Sequence, residues 1–226
     1  DLNLTTAGDF TNRGTYSPGT NTTSFNGGKQ QLVGNTEFHD LEINSSDNLE
    51  LSRTTATDLT ISNSLTMNSS VFVDSTNTIT VKGHIENSGT HVSTAAEGGM
   101  LLSGDEAFTI DGGGTFGRVT LENPEGVSLV NNGITVQDSL KLIKGVFRIR
   151  EHLLSVNGGL GGTDFGKNKM IETSGLSTNK GFQIQLPANS SEKDTIPVGV
   201  PLKYTPVEID YLNESGSPSS LTFIPD

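Results

Sequence analysis

The chain has 226 residues, 31% of them hydrophobic, with no Cys, no Trp and a formal net charge of −12. A surface this acidic repels phosphate backbones and argues against nucleic-acid partners. Without Cys there is no disulfide framework and no thiolate metal site, and no apolar run approaches the ~20 residues of a membrane helix, which argues against membrane insertion. Low hydrophobicity with 27 Gly would also suit a disordered chain, but the apolar residues are too regularly placed for that. The chain opens on Asp1 rather than Met, as expected of a processed form or an excised internal piece.

In chain order, Leu41, Ile43, Leu49 and Leu51 alternate with polar residues, as do Leu59, Ile61, Leu65 and Met67, then Val71, Val73, Ile79 and Val81. A period of two marks strands with one side chain in and the next out. Asn, Gly, Ser and Asp interrupt these runs every few residues, as turns do. No stretch carries a helical period of useful length.

The chain also repeats itself. Gly8-Asp9-Phe10-Thr11-Asn12-Arg13-Gly14-Thr15 matches Gly83-His84-Ile85-Glu86-Asn87-Ser88-Gly89-Thr90 at an offset of 75. Phe38 matches Phe116, Leu59 to Met67 matches Ile134 to Leu142, and Val71-Phe72 matches Val146-Phe147. Each copy ends alike, with Ile79-Thr80-Val81-Lys82-Gly83 against Leu154-Ser155-Val156-Asn157-Gly158, and a partial earlier ending lies near Leu2-Asn3-Leu4. The repeats span 8–82 and 83–157.

Short strands in tandem suit a stacked solenoid or an antiparallel sandwich. A unit of this length divides into three or four coils, the inward Leu, Ile and Val stack well, and outward Thr, Ser and Asn can form ladders. The expectation is therefore an all-β, right-handed parallel β-solenoid (β-helix) of two ~75-residue repeats over 1–158. About seven coils at ~4.8 Å each would give a rod roughly 35 Å long. From Gly159 the pattern changes. Pro187, Pro197, Pro201 and Pro206 make poor central strands, so 159–226 reads as closing coils, a cap or the entry to a following β domain.

The order Gly8-Asp9-Phe10-Thr11-Asn12, Thr23-Ser24-Phe25-Asn26-Gly27-Gly28, Phe38 to Asn44 and Leu59-Thr60-Ile61 with Leu65-Thr66-Met67 resembles the repeats of very large cell-surface proteins of Bacteroidetes. Thr195-Ile196-Pro197-Val198-Gly199 with Lys203-Tyr204-Thr205-Pro206-Val207 is similar to a segment that follows such repeats. The resemblance covers nearly the whole chain and rests on the order of degenerate motifs. It implies export by the type IX secretion system, an extracellular or outer-surface location and an adhesin-like or gliding-adhesin-like role. Partners would be neighbouring domains of the same long chain, and extracellular glycans. It also implies O-glycosylation at Asp-Ser/Thr-small tripeptides, which places candidates at Ser75, Ser139 and Thr195.

No residue pattern supplies catalysis, and no cofactor is expected. His39, His84, His91 and His152 read as solvated surface residues, because a repeated metal site would place ligands in both copies. Asp105 and Asp111 are the best local Ca²⁺ candidates, since Ca²⁺ wants six to eight oxygens, yet Asp111-Gly112-Gly113-Gly114 reads more simply as a Gly-rich corner. Lys141, Lys144, Arg148 and Arg150 form an outward basic stripe on an acidic chain. Those charges either pair with nearby Glu122, Glu125 or Glu151, or contact an acidic glycan. The leading expectation is a structural rod or spacer in a secreted adhesin. The rivals are a glycan-binding module that uses one face, and a polysaccharide-active β-helix enzyme with convergent carboxylates.

Overall fold

A computed structural model describes residues 2–94, 97–176 and 180–225. Every regular element among them is a β-strand. The period-two pattern explains why. Each short run buries its alternate apolar residues and leaves Thr, Ser or Asn outside, and a turn residue ends it before a second inward row could be misplaced.

The strands stack in parallel on three faces of a β-solenoid. The first face climbs through Leu4–Thr6, Thr22–Phe25, the end of Thr36–Ile43, the end of Leu59–Met67, His84–Asn87, Phe108–Asp111, Val127–Leu129, Phe147–Arg150, Ile171–Thr173 and Val198–Val200. The second climbs from Phe10–Thr11 through Gln30–Val33, Asn48–Leu51, Val71–Val73 and Thr90–Val92 to Leu154–Val156 and Phe182–Leu186. The third holds the start of Thr36–Ile43, the start of Leu59–Met67, Thr78–Val81, Gly99–Ser103, the ends of Thr115–Glu122 and Ile134–Lys144, and Gly159–Gly161. Turn length varies. Thr23 to Leu41 is 18 residues and Ile171 to Val198 is 27. At ~4.8 Å per rung, the ten rungs of the first face span roughly 43 Å.

Inward residues form columns. Leu41, Leu65, Ile85 and Ile110 stack on the first face, and Phe38, Ile61, Val81, Leu102, Leu121 and Leu142 on the third. All are 2% exposed or less. Burying each such side chain is worth about 1.5–3 kcal/mol against the entropy of ordering the chain. The long strands pass through corners at register shifts, between Phe38 and Asp40 and between Phe116 and Arg118. An extra residue there bends the strand from one face to the next. Polar ladders support the corners. Asn68 Nδ2 donates to Asn44 Oδ1 at 2.6 Å, and Asn63 Nδ2 to Asp40 Oδ1 at 2.6 Å.

The sequence repeat is carried by this stack in an unexpected phase. Leu65, on the first face, matches Leu140, on the third. From Leu65 the chain makes three turns to Leu129 and crosses two further faces to reach Leu140. Phe72 of the second face matches Phe147 of the first, and Ile79 of the third matches Leu154 of the second. Every matched strand has moved back by one face. The match survives because each face asks the same of its residues: alternate apolar side chains of similar size.

The glycines that end each copy show what stacking demands. A Cβ on Gly83 would lie 1.8 Å from the Asn63 carbonyl oxygen, and one on Gly158 1.4 Å from that of Asp138. Their counterpart Gly8 has nothing within 4 Å, because no described rung lies beneath it. Gly83→Ala and Gly158→Ala are expected to lower stability by about 2 kcal/mol or more, with Gly8→Ala within about 0.5 kcal/mol of the parent. Urea midpoints of the three variants check this.

Past Gly158 the parallel ladder continues to Val198, and antiparallel pairing then takes over. Phe182–Leu186 pairs with Ser219–Phe223, Ser190–Ile196 with Val207–Asn213, and Val198–Val200 with Lys203–Tyr204. The second face is thereby covered at its upper edge, which a bare solenoid would leave open. At the other end Phe10, Tyr16, Phe25 and Phe38 close the core, with ring centroids 5.6–6.2 Å apart.

Candidate functional sites

The basic stripe does not lie on one strand. Lys141 and Lys144 end the strand Ile134–Lys144 on the third face, whereas Arg148 and Arg150 belong to Phe147–Arg150 on the first. A corner at Gly145, with φ +87°, separates the pairs. Lys144 Nζ lies 3.8 Å from Glu122, and Arg148 Nε 3.7 Å from Glu172, while an Arg148 guanidinium nitrogen donates to the Glu125 carbonyl at 2.9 Å. Burial raises the Glu172 carboxyl above its ordinary pKa, only partly opposed by Arg148. Two of the four cations thus answer local acids. Lys141 lines a small depression with Thr163 and Lys169.

The Ca²⁺ candidates are not brought together. Asp105 precedes and Asp111 ends the strand Phe108–Asp111. The Asp111 carboxylate accepts hydrogen bonds from Asn131 Nδ2 at 2.7 Å, the Gly112 amide at 2.6 Å and Asn132 Nδ2 at 3.5 Å. The Asn131 bond leads the causes that hold its pKa low, while partial burial opposes them. Its oxygens are spent on a corner. Of the glycosylation candidates, Ser139 and Thr195 are half-buried. Ser75 is 1% exposed and its hydroxyl donates to Glu50 Oε1 at 3.1 Å. A sugar has no room there in the folded chain, which corrects the expectation for that position.

The surface reading of the histidines fails at His91, which is 1% exposed. It occupies an inward place in the second-face column, directly above Phe72, whose ring it meets edge-on at 6.3 Å. Nδ1 accepts the Gly117 amide at 3.3 Å, which assigns the ring proton to Nε2 and turns it toward Asp74 Oδ2, 3.5 Å away. Asp74 is fully buried, and its Oδ1 accepts the Thr76 amide at 3.1 Å. Burial opposes ionisation of Asp74, but the nearby His91 and Ser93 side chains and the bond from the Thr76 amide outweigh it and hold the carboxyl below its ordinary value. Thr76, with φ +76°, and Ser75, with φ +51°, turn this corner in left-handed backbone. Asn77 Nδ2 ties it down by donating to the carbonyls of Ser52 and Asp74 at 2.9 Å. The pair is closed to solvent, so it serves the stack rather than a ligand. The sequence signal was the inward position of His91 in Thr90-His91-Val92.

A depression of about 740 Å³ lies beside the antiparallel tail. Phe165 and Tyr204 line it together with Asp194, Glu208 and Asp210, and Lys193 Nζ is 2.6 Å from Asp210. Burial raises the pKa of the Tyr204 hydroxyl. Lys169 Nζ sits 5.9 Å from the Phe165 ring centroid. Their meeting was not legible in the sequence, because they come together only where the chain leaves the solenoid. Comparisons with protein-family models, with curated proteins and with solved structures found no match to this chain.

Proposed function

We propose that this chain is a rod segment of a secreted cell-surface adhesin, holding a binding domain away from the cell. The observation that supports this is the parallel ladder from Leu4 to Val198 over one apolar core. Such a stack sets length in increments of one rung and resists bending, because neighbouring rungs share hydrogen bonds and side-chain columns along its whole length. The reading asks no chemistry of the side chains, so the chain is proposed to act mechanically and not as an enzyme. The sequence resemblance to Bacteroidetes surface repeats supports export by type IX secretion and display outside the cell, with Ser139 and Thr195 as the remaining sites for O-linked sugars.

A replacement experiment separates spacer from binder. Deleting this segment from its parent surface protein is expected to reduce adhesion, and an unrelated β-solenoid of equal length is expected to restore it. Failure of the unrelated rod, with rescue only by this sequence, would overturn the spacer role in favour of a binding face.

A further inference from the structure

We propose that the free edge of the strand Val207–Asn213 takes an extended basic peptide as a third antiparallel or parallel strand, with its Lys or Arg side chains beside Glu208 and Asp210. Among the described residues this seven-residue strand pairs only with Ser190–Ile196, in a sheet of two. Its second edge therefore presents unpaired backbone donors and acceptors. Natural edges are blunted by charged side chains, Pro or bulges; Val207–Asn213 has no Pro and no bulge, and its two charges, Glu208 and Asp210, are both acidic, so they repel an acidic strand but not a basic one.

Its side chains fit the proposed occupant. Ile209 and Tyr211 turn inward against the core. The alternate positions Glu208, Asp210 and Leu212 are exposed, Leu212 to 68%. Glu208 stands opposite Thr195 and has no ion pair among the described residues, while Asp210 shares Lys193. A strand added here places its own alternate side chains directly across from this row, where opposite charges attract and like charges repel. The row thus selects basic residues and one apolar residue at a spacing of two. The same strand forms a wall of the 740 Å³ depression. The Phe165 ring already receives one ammonium, that of Lys169. Strand addition supplies affinity through the backbone, and the charge row supplies the choice of partner.

Fluorescence anisotropy with a labelled peptide of alternating Lys and Val tests this on the whole chain. Saturable binding is expected, weakened at least about tenfold by Glu208→Lys and by a proline at the centre of the peptide, which removes a ladder donor. Glu42→Lys makes the same charge change on the solenoid's first face and is expected to leave binding within about twofold. Absence of saturation, equal binding to Glu208→Lys, or equal binding of the proline peptide would each overturn the proposal. Displacement of the peptide by oligoglucosamine at lower concentration than by unlabelled peptide would assign the edge to amino sugars and overturn the peptide reading.

Discussion

Asp74→Ala should lower the stability of the rod by about 3–5 kcal/mol, the cost of stranding buried polar groups whose charged partner is gone. The Thr76 amide loses its acceptor, and His91 Nε2, 3.5 Å from the carboxylate, loses the charge that faces it. His91 Nε2 cannot turn to water, because Asp74 and the His91 ring are closed off. His91→Leu alone leaves the carboxylate buried and the Gly117 amide without an acceptor, so it too should destabilise. The double variant Asp74→Ala/His91→Leu should cost less than the sum of the two, because it removes the unmatched partners together. Denaturant melts of the four proteins decide the point, and strict additivity would show that the two side chains do not act as a pair.

The same pair gives the rod an acid limit. The folded pKa of Asp74 lies below its ordinary value. Its stabilising contribution is therefore full above about pH 3.9, the unfolded value, and is lost as the pH falls through the lower folded value. Parent and Asp74→Asn should differ most near neutrality and converge as the solution is acidified below about pH 4. A gap that widens on acidification would mean that the surroundings of Asp74 do not favour the charged carboxylate.

Phe38→Ala should rank beside Asp74→Ala in size, at about 3–5 kcal/mol, but act differently. Phe38 is fully buried at the centre of the aromatic group with Phe10, Tyr16 and Phe25. This group closes the lower end of a structure in which each turn touches only its neighbours. Loss of the ring should loosen the first turns and leave the upper stack intact, as expected when stability is a sum of local and nearest-neighbour terms. Hydrogen exchange should show lost protection in Thr22–Phe25 and Gln30–Val33 with little change in Leu154–Val156. Uniform loss along the rod would instead mark it as a single cooperative unit.

Much of this architecture was legible in the order of residues. Alternation at Leu59, Ile61, Leu65 and Met67 identified strands, and the tandem copies pointed to stacking. The direction of a corner was harder to read. Lys141 and Arg148 look like one stripe in sequence because Gly145 between them resembles any strand glycine until its positive φ is seen. Ser75 carried a modification-like tripeptide, but the tripeptide itself makes a corner whose hydroxyl turns inward to Glu50. His91 was misplaced because its chemistry suggested solvent while its position in the alternation indicated the core. In each case local pattern gave the strand, and the neighbouring rung decided which way the side chain faced. The partner of the acidic tail strand was not legible in the sequence, since it lies more than ten residues away and runs antiparallel.

The backward step of one face per repeat has a consequence for display. Any feature tied to one place in the 75-residue unit, such as a charged corner or a sugar on a serine, points a third of a circle away in the next copy. Three copies complete the circuit and return the feature to its first azimuth, after eleven whole turns. An array built this way has no front or back. It offers the same decoration to every direction around its axis, as the thread of a screw does, whatever its orientation at a surface.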